Sequence, residues 1–204
     1  MKYVNDSLSI VILGDWNNLY VQPEWISNNV FEVPQIEIGV FGIGIDVEVS
    51  FKYNDIIIKP NRDKIIISTT NISNQIIKQL AKCASNFITK AKTPQMVAYG
   101  YNITYIDSED MQLAETFDSI SDSSQIIDLG YEIISSNIHR TITKDNKIIN
   151  MECLLENSNS KFIFNEHHDE QDVENIFIDE KTINSFLSET KNILIGMGYE
   201  IEEE

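Results

Sequence analysis

Proline and glycine are scarce in this chain, at 4 and 8 in 204 residues. That excludes a collagen-like repeat or a flexible linker, since each needs far more of one or both. Cysteine is scarcer still, represented by Cys83 and Cys153. Two cysteines make neither a disulfide framework nor a zinc site. Both sit among apolar residues, so the expectation is a reduced, cytoplasmic chain. Long apolar runs are also missing. The first residues carry one lysine and an apolar run from Ile10 to Leu13, which does not read as a secretion signal. Nothing approaches the roughly 18 apolar residues of a membrane span.

The last shortage is of positive charge, and it is one-sided. Residues 1–100 carry 9 Asp/Glu and 9 Lys/Arg, whereas residues 101–204 carry 23 Asp/Glu and 6 Lys/Arg, the whole of the net −17. Phosphate contacts need a cationic surface, so direct nucleic-acid binding by the C-terminal half is not expected. A protein partner with a basic surface fits this asymmetry, as does simple solubility. The oligomeric state is left open.

What is abundant is isoleucine, 35 residues, and asparagine, 20, within a hydrophobic content of 42% that is ample for a core. The apolar spacing predicts an order of elements. Ser9 to Leu13 is a short buried strand, and Pro23 in "QPEWISNN" suits the first position of a short helix. Ile36, Ile38 and Val40 alternate on one parity; Ile43, Ile45, Val47, Val49 and Phe51 alternate on the other. A β-bulge near Gly42 would account for the switch. Strands at Ile56–Lys59 and Lys64–Thr69 follow. The stripe Ile72, Ile76, Leu80, Cys83, Phe87, Ala91 then marks a long helix ended by Pro94.

The pattern restarts with "MVAYGYNITYI", a strand. A helix capped by Ser108 carries Met111, Ala114, Phe117 and Ile120 on one face. Tyr131–Thr143, Lys147–Leu155 and Lys161–Asn165 read as three antiparallel strands, with turns at "TKDNK" and "ENSNS". Asp179 caps a final helix with Ile183, Phe186, Leu187, Ile193 or Leu194, and Met197 inward. The expected class is therefore α+β. Two head-to-tail β-α-β-β-β-α units, residues 1–93 and 94–204, form antiparallel sheet with two long helices packed on one face, as one pseudo-duplicated domain.

The loudest run is "NEHHDEQD", Asn165 to Asp172. On a strand its adjacent histidines would point to opposite faces. In a loop His167 with Asp169, or Glu166 with His168, would converge. His139, on an earlier strand, is the remaining histidine. A zinc site takes three or four protein ligands, and no HExxH is present. His139, His167, His168 and Asp169 are thus candidate metal ligands, set against a solvated acidic loop, and the ligand count favours the loop. No cofactor is expected. "GVFGIGID" lacks the glycine spacing and following helix of a phosphate loop. No nucleophile, P-loop or kinase motif carries its supporting context.

"IVILGDWNNLYVQPEWI", "RDKIIIST", a long helix and "KTPQMVAYGYNITYI" together resemble uncharacterised bacterial proteins. In those, a strand ending in a small-residue–Asn turn precedes a Pro-x-Trp segment, and a Thr-Pro link joins the first long helix to the next strand. The resemblance covers mainly residues 9–106. It supports the two-unit architecture and brings no catalytic residues.

The expected function is a non-enzymatic interaction subunit or adaptor of a larger bacterial or phage assembly, acting through the acidic half. Candidate contact residues are Glu166, Asp169, Glu170, Asp172 and Glu174, with Trp16 and Trp25 as aromatic contacts or, alternatively, a core pair. Two rival readings are an acidic decoy of a nucleic-acid-binding protein, and a metal- or small-ligand-dependent enzyme.

Overall fold

Isoleucine and valine alternating with polar residues, broken by Asn-Asp, Asp-Asn and Asn-Ser pairs, build a fold dominated by hairpins. The computed structural model describes residues 1–16, 22–43, 46–91, 96–107, 123–145, 147–156, 159–169 and 176–202. Its elements run β1 Lys2–Tyr3, β2 Ser9–Gly14, α1 Pro23–Trp25, β3 Glu37–Ile43, β4 Asp46–Tyr53, β5 Ile56–Pro60, β6 Lys64–Thr69 and α2 Asn74–Lys90. They continue with β7 Met96–Asp107, α3 Ser123–Asp128, β8 Ser135–Lys144, β9 Lys147–Glu156, β10 Asn159–Asp169 and α4 Glu180–Gly196. The chain is mixed α+β. Among the described residues, ten strands form one antiparallel sheet in the order β3-β4-β5-β6-β2-β7-β10-β9-β8, with β1 added alongside β7. No helix among them is long and apolar enough to cross a membrane.

The parity switch near Gly42 comes from chain reversal rather than the expected bulge. β3 and β4 pair with each other from Glu37 opposite Lys52 to Ile43 opposite Asp46. In this register even-numbered residues of β3 stand opposite odd-numbered residues of β4, which is the observed switch. Positions 54 and 145 make the left-handed turns of two other hairpins, at φ 52° for Asn54 and 51° for Asp145. Asn and Asp tolerate that conformation better than other side chains.

α2 buries the stripe its spacing predicts, from Ile76 through Leu80, Cys83, Ala84 and Phe87 to Ile88. It packs on β5 and β6, while α4 packs on β7 and touches α2. α4 begins in a reciprocal cap: Thr182 N donates to Asp179 Oδ1 at 2.8 Å and Asp179 N donates to Thr182 Oγ1 at 3.1 Å. Its buried row is Ile183, Phe186, Leu187, Thr190 and Leu194, so Leu194 rather than Ile193 is the inward choice. The helix expected from Ser108 to Ile120 lies outside the described residues.

α1 runs into a π-helical turn, Ile26–Phe31, closed by Glu32 in the left-handed region. Its carbonyls are held from α2, where Asn86 Nδ2 donates to Val30 O and Lys90 Nζ to Asn29 O, both at 3.0 Å. Glu32 itself bridges Lys82 at 2.7 Å and Lys90 at 2.6 Å. The Lys82 hydrogen bond, then that of Lys90, holds the Glu32 carboxyl down at about 2. Trp16 and Trp25 both set a ring edge against Phe87, with centroids 5.1 Å and 5.5 Å apart.

A row of polar side chains crosses five strands at a single register. Asn102 of β7 donates to Ser9 Oγ at 3.5 Å, Asn165 of β10 to Asn102 Oδ1 at 2.9 Å, and Asn150 of β9 to Asn165 Oδ1 at 3.4 Å. Thr141 of β8 closes the row on Asn150 Oδ1 at 2.8 Å. A one-residue slip of any strand would break it, so the row specifies register where aliphatic packing alone would not.

Two predictions follow from this packing. Phe87→Ala should cost about 3–5 kcal/mol in urea unfolding and shift native tryptophan emission to the red, because both indoles lose their shared neighbour; an unchanged midpoint would contradict the packing described. Tyr105 OH lies 3.1 Å from Thr190 Oγ1 in the core. A double-mutant cycle of Tyr105→Phe and Thr190→Val should return a coupling of about 1 kcal/mol.

Candidate functional site

The first four residues after Asn165 do not form a loop. β10 continues through Asp169, pairing with β7 to its end and with β9 as far as His167. Local composition is overridden because β7 offers hydrogen-bonding backbone alongside, so extending β10 satisfies groups that would otherwise need other partners. Strand alternation then decides every side chain. Ser160, Phe162, Phe164, Glu166 and His168 share one parity, and the first four are buried. His167 and Asp169 take the other face with Asn165.

This puts a carboxylate inside the protein. Glu166 is only 2% exposed. Its Oε1 bonds His168 Nε2 at 2.8 Å and its Oε2 meets Lys147 Nζ at 3.4 Å. Lys147, the first residue of β9, also reaches Glu189 Oε2 at 3.3 Å and Ser185 Oγ at 3.4 Å on α4. Burial pushes the Glu166 carboxyl up; the hydrogen bonds and charges of His168 and Lys147 outweigh it, and the group ends below its ordinary range. The His168 ring lies flat on Tyr99, with centroids 4.6 Å apart and planes 6° apart, and stands edge-on to Tyr101 at 5.7 Å.

Tyr101 in turn donates to Thr182 Oγ1 at 3.2 Å, within the α4 cap. Burial raises the Tyr101 phenol well above its usual value, so it is a neutral donor. Around these groups opens a recess of about 250 Å³, lined by Tyr99, Tyr101, Lys147, Glu166, His168, Lys181, Thr182 and Ser185. Pockets for drug-sized ligands span about 300–1,000 Å³, so this recess suits an ion or a few waters. A cleft of about 600 Å³ lies beyond Lys147, between the β8–β9 hairpin and α4. Chemically the cluster holds an acid inside the fold, bonded from two sides by His168 and Lys147, and ties β10 to β9 and α4.

The structure separates the three histidines. His167 bonds Asp169 Oδ1 at 2.8 Å on the face opposite His168. His139 sits on β8 opposite Glu152, two strands from β10. Among the described residues no group of three His, Cys, Asp or Glu is placed to hold a metal ion. Asp169, with its side chain 81% exposed, is the solvent-facing acid of this set. Glu170, Asp172 and Glu174 lie outside the described residues. Trp16 is 3% exposed and donates its indole N–H to Ile12 O at 3.3 Å, a core position, while Trp25 is partly buried. Both thiols are buried, which pushes Cys83 up to about 12 and Cys153 to about 11, so both stay protonated.

Sequence reasoning missed Lys147, Tyr99, Tyr101, Thr182 and Glu189 as neighbours of Glu166, since they come from three other elements. A signal for Glu166 itself was available: Phe162, Phe164, Glu166 and His168 follow one another at period two.

Glu166→Gln should lower stability by about 2 kcal/mol near pH 6, because an amide cannot accept from both His168 and Lys147. The carboxylate's contribution is fully present above its unfolded value of about 4.3 and is lost as pH falls through the lower folded value. The gap between wild type and variant should therefore narrow in acid; urea titrations at stepped pH measure it, and a gap that widens in acid would contradict this arrangement.

Comparison with models of protein families and with curated proteins finds no match to this chain.

Proposed function

We propose that the protein is a non-enzymatic interaction subunit of a larger bacterial or phage assembly, and that it meets a basic protein partner through its acidic second half. The observation that carries this reading is the distribution of charge along the sequence. Residues 101–204 hold 23 Asp/Glu against 6 Lys/Arg; β8, β9, β10 and α4 themselves balance six acidic against six basic residues, so the excess acid lies outside those elements. Concentrated acidic charge attracts cationic proteins and disfavours phosphate backbones. Asp169, exposed at the end of β10, leads directly into the acidic positions Glu170, Asp172 and Glu174.

In the same reading the chain is a pseudo-duplication: two head-to-tail β-α-β-β-β-α units, with α2 and α4 on one face of the joint sheet. Support comes from the strand order, in which β2 neighbours β6, β7 neighbours β10, and β2 pairs with β7 between them.

A tagged pull-down from the native host tests the functional reading. A stoichiometric basic protein should be recovered at low salt and lost at about 0.5 M, where the screening length is about 4 Å. Asp169→Asn combined with Glu170→Gln, Asp172→Asn and Glu174→Gln should weaken that capture without altering the circular-dichroism spectrum. Capture that is indifferent to salt and to the substitutions, or no capture under either condition, would refute it.

A further inference from the structure

The strand order ends in two edges that lack a neighbour among the described residues, β3 and β8. Exposed edges invite pairing with another chain unless charge, proline or a bulge blunts them. β8 carries such charges at Arg140 and Lys144. β3 reads Glu-Ile-Gly-Val-Phe-Gly-Ile and has a single charge, Glu37, at its outer end, opposite Lys52 of β4. Its apolar side chains stand in solvent on both faces: Ile38 at 52% and Val40 at 65% on one, Phe41 at 64% on the other.

We propose that β3 is a homodimer edge, to which a second copy of this chain adds its own β3, antiparallel, across a twofold axis at Val40. Charge selects the occupant. Each copy carries −17, yet residues 1–100 balance 9 acidic against 9 basic residues. β3 stands at the end of the strand order away from β10, β9 and β8. Two copies can meet there without bringing acid against acid, since Glu37 at the outer end is the strand's single charge.

The side-chain pattern is self-complementary in that register. Val40 faces its symmetry mate, Ile38 faces Gly42, Phe41 faces Gly39 and Ile43 faces Glu37, so two of the large side chains meet a glycine and no like charges oppose one another. Gly39 is closely covered: a methyl group there would lie 2.5 Å from Ser50 Oγ and 2.7 Å from the Phe41 ring, so those side chains would have to shift. Each Phe41 is folded back over its own Gly39, and across the axis the two rings become diagonal neighbours, within aromatic reach. β3 lies outside residues 101–204, and the dimer does not depend on the acidic-partner reading.

Sedimentation equilibrium on the full chain tests it. The wild type should approach twice 23.4 kDa with rising concentration. Val40→Lys and Phe41→Lys, each at an exposed position outside the core, should return the mass to that of one chain with an unchanged circular-dichroism spectrum. Thr143→Lys on β8 should leave the dimer intact. A wild type that stays monomeric at every concentration, or a dimer that survives both β3 substitutions, would overturn the proposal.

Discussion

Two tyrosine–threonine contacts set the position of α4, and much of the second half depends on that position. Tyr101 and Tyr105 are four residues apart on β7; Thr182 and Thr190 are eight apart on α4. Four strand residues span about 13 Å, and eight helical residues about 12 Å. The two spacings match when the helix runs beside the strand in the same direction. Each hydroxyl pair is worth only about 1 kcal/mol net, but leaving one member unpaired in the core would cost more. The pairs thus act mainly by making other placements of the helix expensive. They also bring Ser185 and Glu189 over Lys147, and so determine what surrounds Glu166.

The sheet beneath uses polar groups in the same way. Thirty-five isoleucines supply burial without much discrimination between neighbouring registers. The row from Ser9 through Asn102, Asn165 and Asn150 to Thr141 supplies it, because amides that lose their partners by a one-residue slip cannot regain them from aliphatic neighbours. Glu166 and Asn165 are adjacent in sequence and serve opposite faces: one anchors a helix, the other holds strands in line. Neither arrangement needs a bound group. On the outer strand β3, Ile38, Val40 and Phe41 stand exposed.

Legibility from sequence followed the range of the forces involved. The α2 stripe, the Asp179 cap and the turns at Asn54 and Asp145 were readable because each depends on residues within one turn of chain. The Gly42 parity switch was readable as an event but not as its kind. A bulge and a hairpin both displace the pattern by one, and only the pairing of β3 with β4 separates them. The end of β10 was misplaced because Glu-His-His-Asp has a loop-like composition, and the backbone that holds it extended belongs to β7, more than sixty residues earlier.

By itself, then, the sequence determined the α+β class, most of the strands, both long helices with their inward rows, and the segregation of charge, all properties of local spacing and composition. Only the tertiary structure decided that Glu166 is an interior acid, that His167 and His168 part company, that Trp16 belongs to the core and that β3 ends the strand order among the described residues. Those outcomes depend on which strands become neighbours, and hydrogen bonds between distant segments are set by the whole fold rather than by any window of residues.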